Sequence, residues 1–173
     1  MPDPRAPKVR LAPLDPRAVM PYALAWYRDS VVLDGSEGRG TPAYDRATIE
    51  RMYAHLSRIG ELYAIEVDDG GAWVPVGDAA LCPDTMPIVV GEARFRGRGV
   101  GKAVLNLLIA RARALGWQSL CVAKVYAYND RAIALFEGAG FRLVGEARDG
   151  HGRPTRAYRL DLGQNAPHQG NQA

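Results

Sequence analysis

The sequence predicts an α/β (α+β) domain: a mixed, mostly antiparallel central sheet flanked by helices. Three observations predict it. Two β-type runs, Leu62–Val67 and Trp73–Leu81, are joined by Asp68-Asp69-Gly70-Gly71, a hairpin signal. A glycine-rich segment, residues 96–102, leads directly into the strongest helical pattern in the chain. The full order reads β-α-α-β-β-β-α-β-α-β-β, which has too few helical crossovers for a doubly wound parallel sheet. With 173 residues the chain fits one domain with a sizeable core.

The elements follow in order. Residues 1–8 hold three prolines and read as a flexible N-terminus; one domain is expected over 9–163, and the polar stretch 164–173 reads as a disordered tail. Val9–Leu14 is a short first strand. Asp15-Pro16 starts a helix, with Asp as cap and Pro in the first turn, and Val19, Met20, Ala23, Trp26 and Tyr27 recur at helical spacing. Pro21 is a blemish tolerated only near that first turn. Asp34–Tyr44 reads as a loop, and Arg46–Ile59 as a helix with Ile49, Met52, Tyr53 and Leu56 on its stripe. Pro83–Pro87 is a turn, and the apolar run Ile88-Val89-Val90 is a short buried strand. After the glycines, Val100, Ala103, Val104, Leu107, Leu108 and Leu115 form the expected buried face of a helix that Gly116 closes. Ser119–Tyr126 is a strand with Cys121 in its core, Asp130–Glu137 a short helix, and Phe141–Ala147 and Arg156–Leu162 the last two strands.

Hydrophobic residues make up 47% and charged residues 24%, which excludes collagen-like and disordered classes. A net charge of +3 is too small to argue for nucleic acid. Its distribution says more: six bases and one acid lie between Glu92 and Arg113, nine acids and four bases between Asp29 and Asp69. One region suits an anion, the other a cation. Cys82 and Cys121 have no metal or redox spacing, no metal is expected, and no run has the length of a membrane span. A cytoplasmic location is the default expectation.

Glycines at 97, 99 and 101 let the backbone approach a ligand, and the following helix points unpaired N–H groups and its positive dipole end at the loop. Such a loop binds phosphate, and Arg96, Arg98 and Lys102 add charge. A magnesium-dependent P-loop is excluded because Arg96 and Ala103 stand where Gly and Ser/Thr are needed. A dinucleotide fingerprint fails because its third glycine falls on Lys102 or Val104. A kinase loop lacks the rest of its catalytic set.

Residues 88–101 and 129–141 together resemble the GNAT superfamily of N-acetyltransferases. Arg96, Gly99 and Gly101 fill the pattern Gln/Arg-x-x-Gly-x-Gly/Ala. Asn129, Ala132, Leu135-Phe136 and Gly140-Phe141 fill a second motif downstream. The likeness covers roughly residues 60–162, and the first strand and the Trp26-Tyr27 helix look like the Rim-type and aminoglycoside-modifying branches. The resemblance implies acetyl-CoA as co-substrate, a sheet that splays between the fourth and fifth strands, and a pantetheine arm lying in the splay against Ile88, Val89 and Val90. It places the pyrophosphate on Arg96, Gly97, Arg98, Gly99, Val100, Gly101 and Lys102. Asn129, Ala132 and Phe136 belong to the same cofactor side, Asn129 serving also as a helix cap. It implies acetyl transfer to a primary amine of a small molecule or peptide, and it admits a homodimer. The alternatives are a non-catalytic acyl-CoA-binding module and a ribosomal-protein or N-terminal acetyltransferase.

Direct attack on a thioester needs a neutral amine, a polarised carbonyl and a departing thiolate. Phe136 stands where many family members carry a tyrosine acid, so that role is unfilled; Tyr126 and Tyr128 are near in sequence. Glu92, just after the fourth strand, and Asp78, on the strand before it, are the candidate bases. Trp26, Tyr27 and Asp34, with Asp29, Tyr44 and Tyr53, are candidates to line the acceptor pocket. Acidic and aromatic walls favour a cationic amine.

Overall fold

The computed structural model describes residues 6–163. The expectations for residues 1–5 and 164–173 fall outside them. Two antiparallel sheets form the centre. In the first, β1 (Val9–Pro13), β2 (Glu61–Asp69), β3 (Ala72–Leu81) and β4 (Ile88–Val90) lie in that order. In the second, β5 (Ser119–Tyr126), β7 (Pro154–Asp161) and β6 (Arg142–Arg148) lie in the order β5-β7-β6. The hairpin between β2 and β3 turns on Gly70 and Gly71, with φ of 71° and 94°, the left-handed pair that a tight hairpin needs. β4 and β5 do not pair, so the sheet is split where the resemblance places a splay.

Helices cover both faces of the first sheet. α1 (Pro16–Trp26) and α3 (Arg46–Ile59) pack with Leu62, Ala64, Ala80 and Val89. α4 (Val100–Ala114) and α5 (Asp130–Gly138) belong to the other core, with Ile65, Val67, Ala79 and Leu81. Aspartates cap three helices: Asp15 accepts from the Arg17 N–H, Asp29 from Val31 and Asp45 from Thr48.

Four expectations need correction. Residues 30–36 form a short helix, α2 (Ser30–Ser36), inside the stretch read partly as loop. α1 runs through Pro21, whose missing N–H is tolerated on an exposed face. The buried face of α4 is Val100, Val104, Leu105, Leu108, Ile109 and Ala112, while Leu107 and Leu115 are exposed. Cys121 is half-buried and lies opposite the exposed Arg159 on one face of the β5–β7 ladder. No helix among the described residues is long and apolar enough to cross a membrane, and no cluster there is placed to hold a metal ion.

Candidate functional site

β4 carries one wall of the split. It pairs with β3 through Gly77↔Val90, Asp78↔Val89 and Ala79↔Ile88. The Ala80 N–H donates to the Pro87 carbonyl at 3.1 Å, which fixes the alternation of the ladder. Val89 therefore turns its peptide groups toward β3, and Ile88 and Val90 turn theirs to the open edge. An amide-bearing chain in the split would meet an Ile88 N–H, an Ile88 carbonyl and a Val90 N–H.

The glycine loop continues from that edge. Gly97 and Gly99 have φ of 71° and 83°, a region costly for any side chain, and space in front of both is open. Gly99 is the N-cap of α4 and supplies no side-chain cap. Among the described residues no N–H from 97 to 102 donates to a group outside the helix. Unpaired donors, a helix dipole and the exposed Arg98 and Lys102 make the place suited to a pyrophosphate.

Arg96 faces the other way. Its Nε donates to the Val90 carbonyl at 2.8 Å, and its Nη2 donates to the Gly91 carbonyl at 2.6 Å and to Asp29 Oδ2 at 2.7 Å. The Arg96 guanidinium holds the Asp29 carboxyl below its usual range. The charge expected at the phosphate is thus spent on the end of β4 and on α2.

Asn129 caps α5 by accepting from the Ala132 N–H at 3.1 Å, and its Nδ2 donates to the Gly35 carbonyl at 3.3 Å. Phe136 is 5% exposed and packs edge-on against Phe141, ring centroids 5.2 Å apart. It is a core residue. Tyr126 and Tyr128 do not replace the missing acid: their hydroxyls donate to the Glu37 carbonyl at 2.8 Å and the Asp34 carbonyl at 2.7 Å.

Glu92 turns toward Trp26 of α1, and Asp78 toward Tyr27, which follows α1, and Tyr53 of α3. Trp26 Nε1 donates to Glu92 Oε1 at 2.9 Å, and the indole lies so close to Gly91 that a Cβ there would overlap it. The other Glu92 oxygen has no partner among the described residues. Asp78 is 2% exposed. Its Oδ1 accepts from Tyr27 at 3.0 Å and its Oδ2 from Tyr53 at 2.8 Å. Burial pushes its pKa up to about 6, against the opposing pull of the two phenols. Tyr27 stacks on Tyr44 at 5.6 Å, and the Tyr44 hydroxyl donates to Glu37 Oε2 at 2.8 Å.

Of the expected acceptor-wall residues, Trp26, Tyr27, Tyr44 and Tyr53 gather around Glu92, Asp78 and Glu37, but Trp26, Tyr27 and Tyr53 are fully buried and are core residues rather than an open wall. Asp29 and Asp34 instead fasten α2. Glu37, Asp149 and Arg153 are unforeseen members of the site. Arg153 donates to Asp149 Oδ2 at 2.7 Å and to the Arg39 carbonyl at 2.7 Å, so the β6–β7 turn grips the end of α2. Nothing local marks them; Arg153 and Arg39 are far apart in the chain.

Residues 59–141 match the profile of the acetyltransferase (GNAT) family. No curated protein matches the sequence. Solved structures share the fold. A GCN5-related N-acetyltransferase from Kribbella flavida is 25% identical, with a TM-score of 0.67 over 92% of this chain and 99% of its own. A domain from Methanocaldococcus jannaschii is 15% identical, with a TM-score of 0.74 over 90% of this chain and 99% of its own. A Salmonella typhimurium protein solved with its cofactor acetyl-CoA is 18% identical, with a TM-score of 0.63 over 95% of this chain and 99% of its own. Residues 59–141 thus form an acetyltransferase (GNAT) family region, and the elements around it share the fold of these structures.

Proposed function

We propose that the chain transfers an acetyl group from acetyl-CoA to a primary amine of a small molecule or peptide by direct attack. One observation carries this reading. The open edge of β4 runs straight into a loop of unpaired N–H groups, and Glu92 stands at the junction with a free carboxylate oxygen. Bound acetyl-CoA supplies the activated acyl group. On this reading the Val90 N–H would polarise the thioester carbonyl, and the Gly97–Lys102 backbone would hold the pyrophosphate.

Glu92 is the better base of the two candidates. Its carboxylate is half-buried and oriented by Trp26, which leaves an oxygen for the amine or for one water. Asp78 is sealed, with both oxygens taken by phenols. Its part is to fix Tyr27 and Tyr53. No side chain is assigned as acid to the departing thiolate, which is a modest base and leaves unaided.

Glu37, Tyr44 and Glu92 are the half-buried acidic and aromatic groups on this side, and they support a cationic acceptor. Cys82 and Cys121 are both free thiols, which supports a reducing compartment such as the cytoplasm. β6 is exposed along its length, Leu143 and Val144 included, and this edge supports a homodimer. Sedimentation across a concentration series checks that point.

A non-catalytic acyl-CoA-binding module is the second reading, favoured by Phe136 and by the engaged phenols of Tyr126 and Tyr128. Thiol release from acetyl-CoA across a panel of amines, with mass detection of the product, separates the two. An acetylated amine supports the first reading. CoA binding without turnover of any amine or N-terminal peptide supports the second.

A further inference from the structure

One side chain touches both halves of the donor site. Arg96 immediately precedes the glycine loop, and its guanidinium holds the carbonyls of Val90 and Gly91 at the end of β4. The same guanidinium holds Asp29. Asp29 divides its oxygens: Oδ1 accepts from the Val31 N–H at 2.9 Å and caps α2, and Oδ2 takes Arg96 at 2.7 Å. Side-chain exposure is 14% for Arg96 and 31% for Asp29, so the pair is partly out of water and directional.

The far end of α2 is fastened across the split. The Tyr128 hydroxyl donates to the Asp34 carbonyl, Asn129 Nδ2 to the Gly35 carbonyl and the Tyr126 hydroxyl to the Glu37 carbonyl. These three belong to the end of β5 and the start of α5. α2 therefore bridges the two sheets on the acceptor side, with its N-terminal anchor on β4 and its C-terminal anchors beyond the split.

We propose that Asp29 is a positioning residue that couples the two substrates: through Arg96 it sets the end of β4, and through its cap it sets the wall past which the amine enters. A pyrophosphate on the loop fixes Gly97–Lys102, and with them the Arg96 backbone. Arg96 then fixes Asp29 and the first turn of α2. Linkage makes the effect mutual, so an acceptor held against α2 tightens CoA. The acceptor half rests on the function proposed above; the donor half needs only CoA binding.

The test is amide hydrogen exchange of Ser30–Ser36 with and without CoA, in the wild type, Asp29→Asn and Arg96→Gln. Asn keeps an oxygen for the cap and loses the charge that Arg96 grips. CoA is expected to slow exchange in α2 of the wild type by about fivefold or more, and by less than about twofold in either variant. Arg96→Gln and Asp29→Asn should each raise the acceptor KM by about fivefold, and the double variant should be no worse than the worse single one. Equal CoA-induced protection in the wild type and Asp29→Asn overturns the proposal, as do additive effects on KM or a wild type whose α2 ignores CoA. A wild type that binds CoA and protects α2, yet acetylates no amine, ends the proposed reaction and with it the acceptor half, and leaves only the donor half standing.

Discussion

Replacing Asp78 by Asn separates a buried structural carboxylate from a catalytic one. The side chain is 2% exposed and its pKa is raised from 3.8 to about 6 by burial. The folded chain therefore keeps this proton over a range in which the unfolded chain has lost it. Stability from this group is fully present below the unfolded pKa and falls as pH rises through the window from about 4 to about 6. A shift of about two units corresponds to about 3 kcal/mol, at 1.36 kcal/mol per unit. Asn has nearly the same shape, keeps one acceptor for a phenol and cannot ionise. Near pH 4 the variant and the wild type should be about equally stable; at pH 7 the variant should be the more stable, by up to about 3 kcal/mol. Urea unfolding followed by tryptophan fluorescence at several pH values measures the difference. A difference that does not change with pH refutes the burial argument. The same variant reports on the chemistry. With Glu92 as base, Asp78→Asn keeps most of the wild-type kcat/KM and Glu92→Gln does not. If Asp78→Asn loses about tenfold or more and Glu92→Gln does not, Asp78 takes the proton and the assignment of Glu92 fails.

Other outcomes follow from the same geometry. Glu92→Gln should lower kcat/KM by about tenfold or more while leaving CoA affinity unchanged in calorimetry. Gly99→Ala meets open space but must hold a φ of 83°, so it should cost about 1–2 kcal/mol in unfolding free energy and weaken CoA in calorimetry. Gly91→Ala puts a methyl into the Trp26 indole and should cost about 1–3 kcal/mol, read as a lowered urea midpoint. Polyamines or aminoglycosides should turn over faster than acidic amino acids at equal concentration; the reverse order removes the cationic-acceptor reading.

What was legible in the sequence was what neighbours in the chain decide. The turn at Gly70-Gly71, the caps at Asp15 and Asn129, and the loop into α4 all rest on residues within a turn of one another. The short helix α2 was hidden because seven residues with Gly35 and Ser36 have no period of their own. Its anchors are Tyr126, Tyr128 and Asn129, which lie 89 to 94 residues away in sequence. The face of α4 was misplaced for a related reason. Leucines at 107 and 115 look apolar in any pattern, but the neighbouring strands select Leu105, Ile109 and Ala112 instead. Arg96 is the sharpest case. The motif identifies the residue type correctly, and a positive charge beside a phosphate loop invites the obvious role. Its direction is set by Asp29, 67 residues earlier, and by two carbonyls at the end of a strand. A motif places a charge, and only tertiary packing says which partner neutralises it. Under the proposed function the loop would bind phosphate mainly through backbone N–H groups, with Arg98 and Lys102 as the exposed charges. Replacing either of those should cost CoA affinity without moving α2, whereas replacing Arg96 should move both.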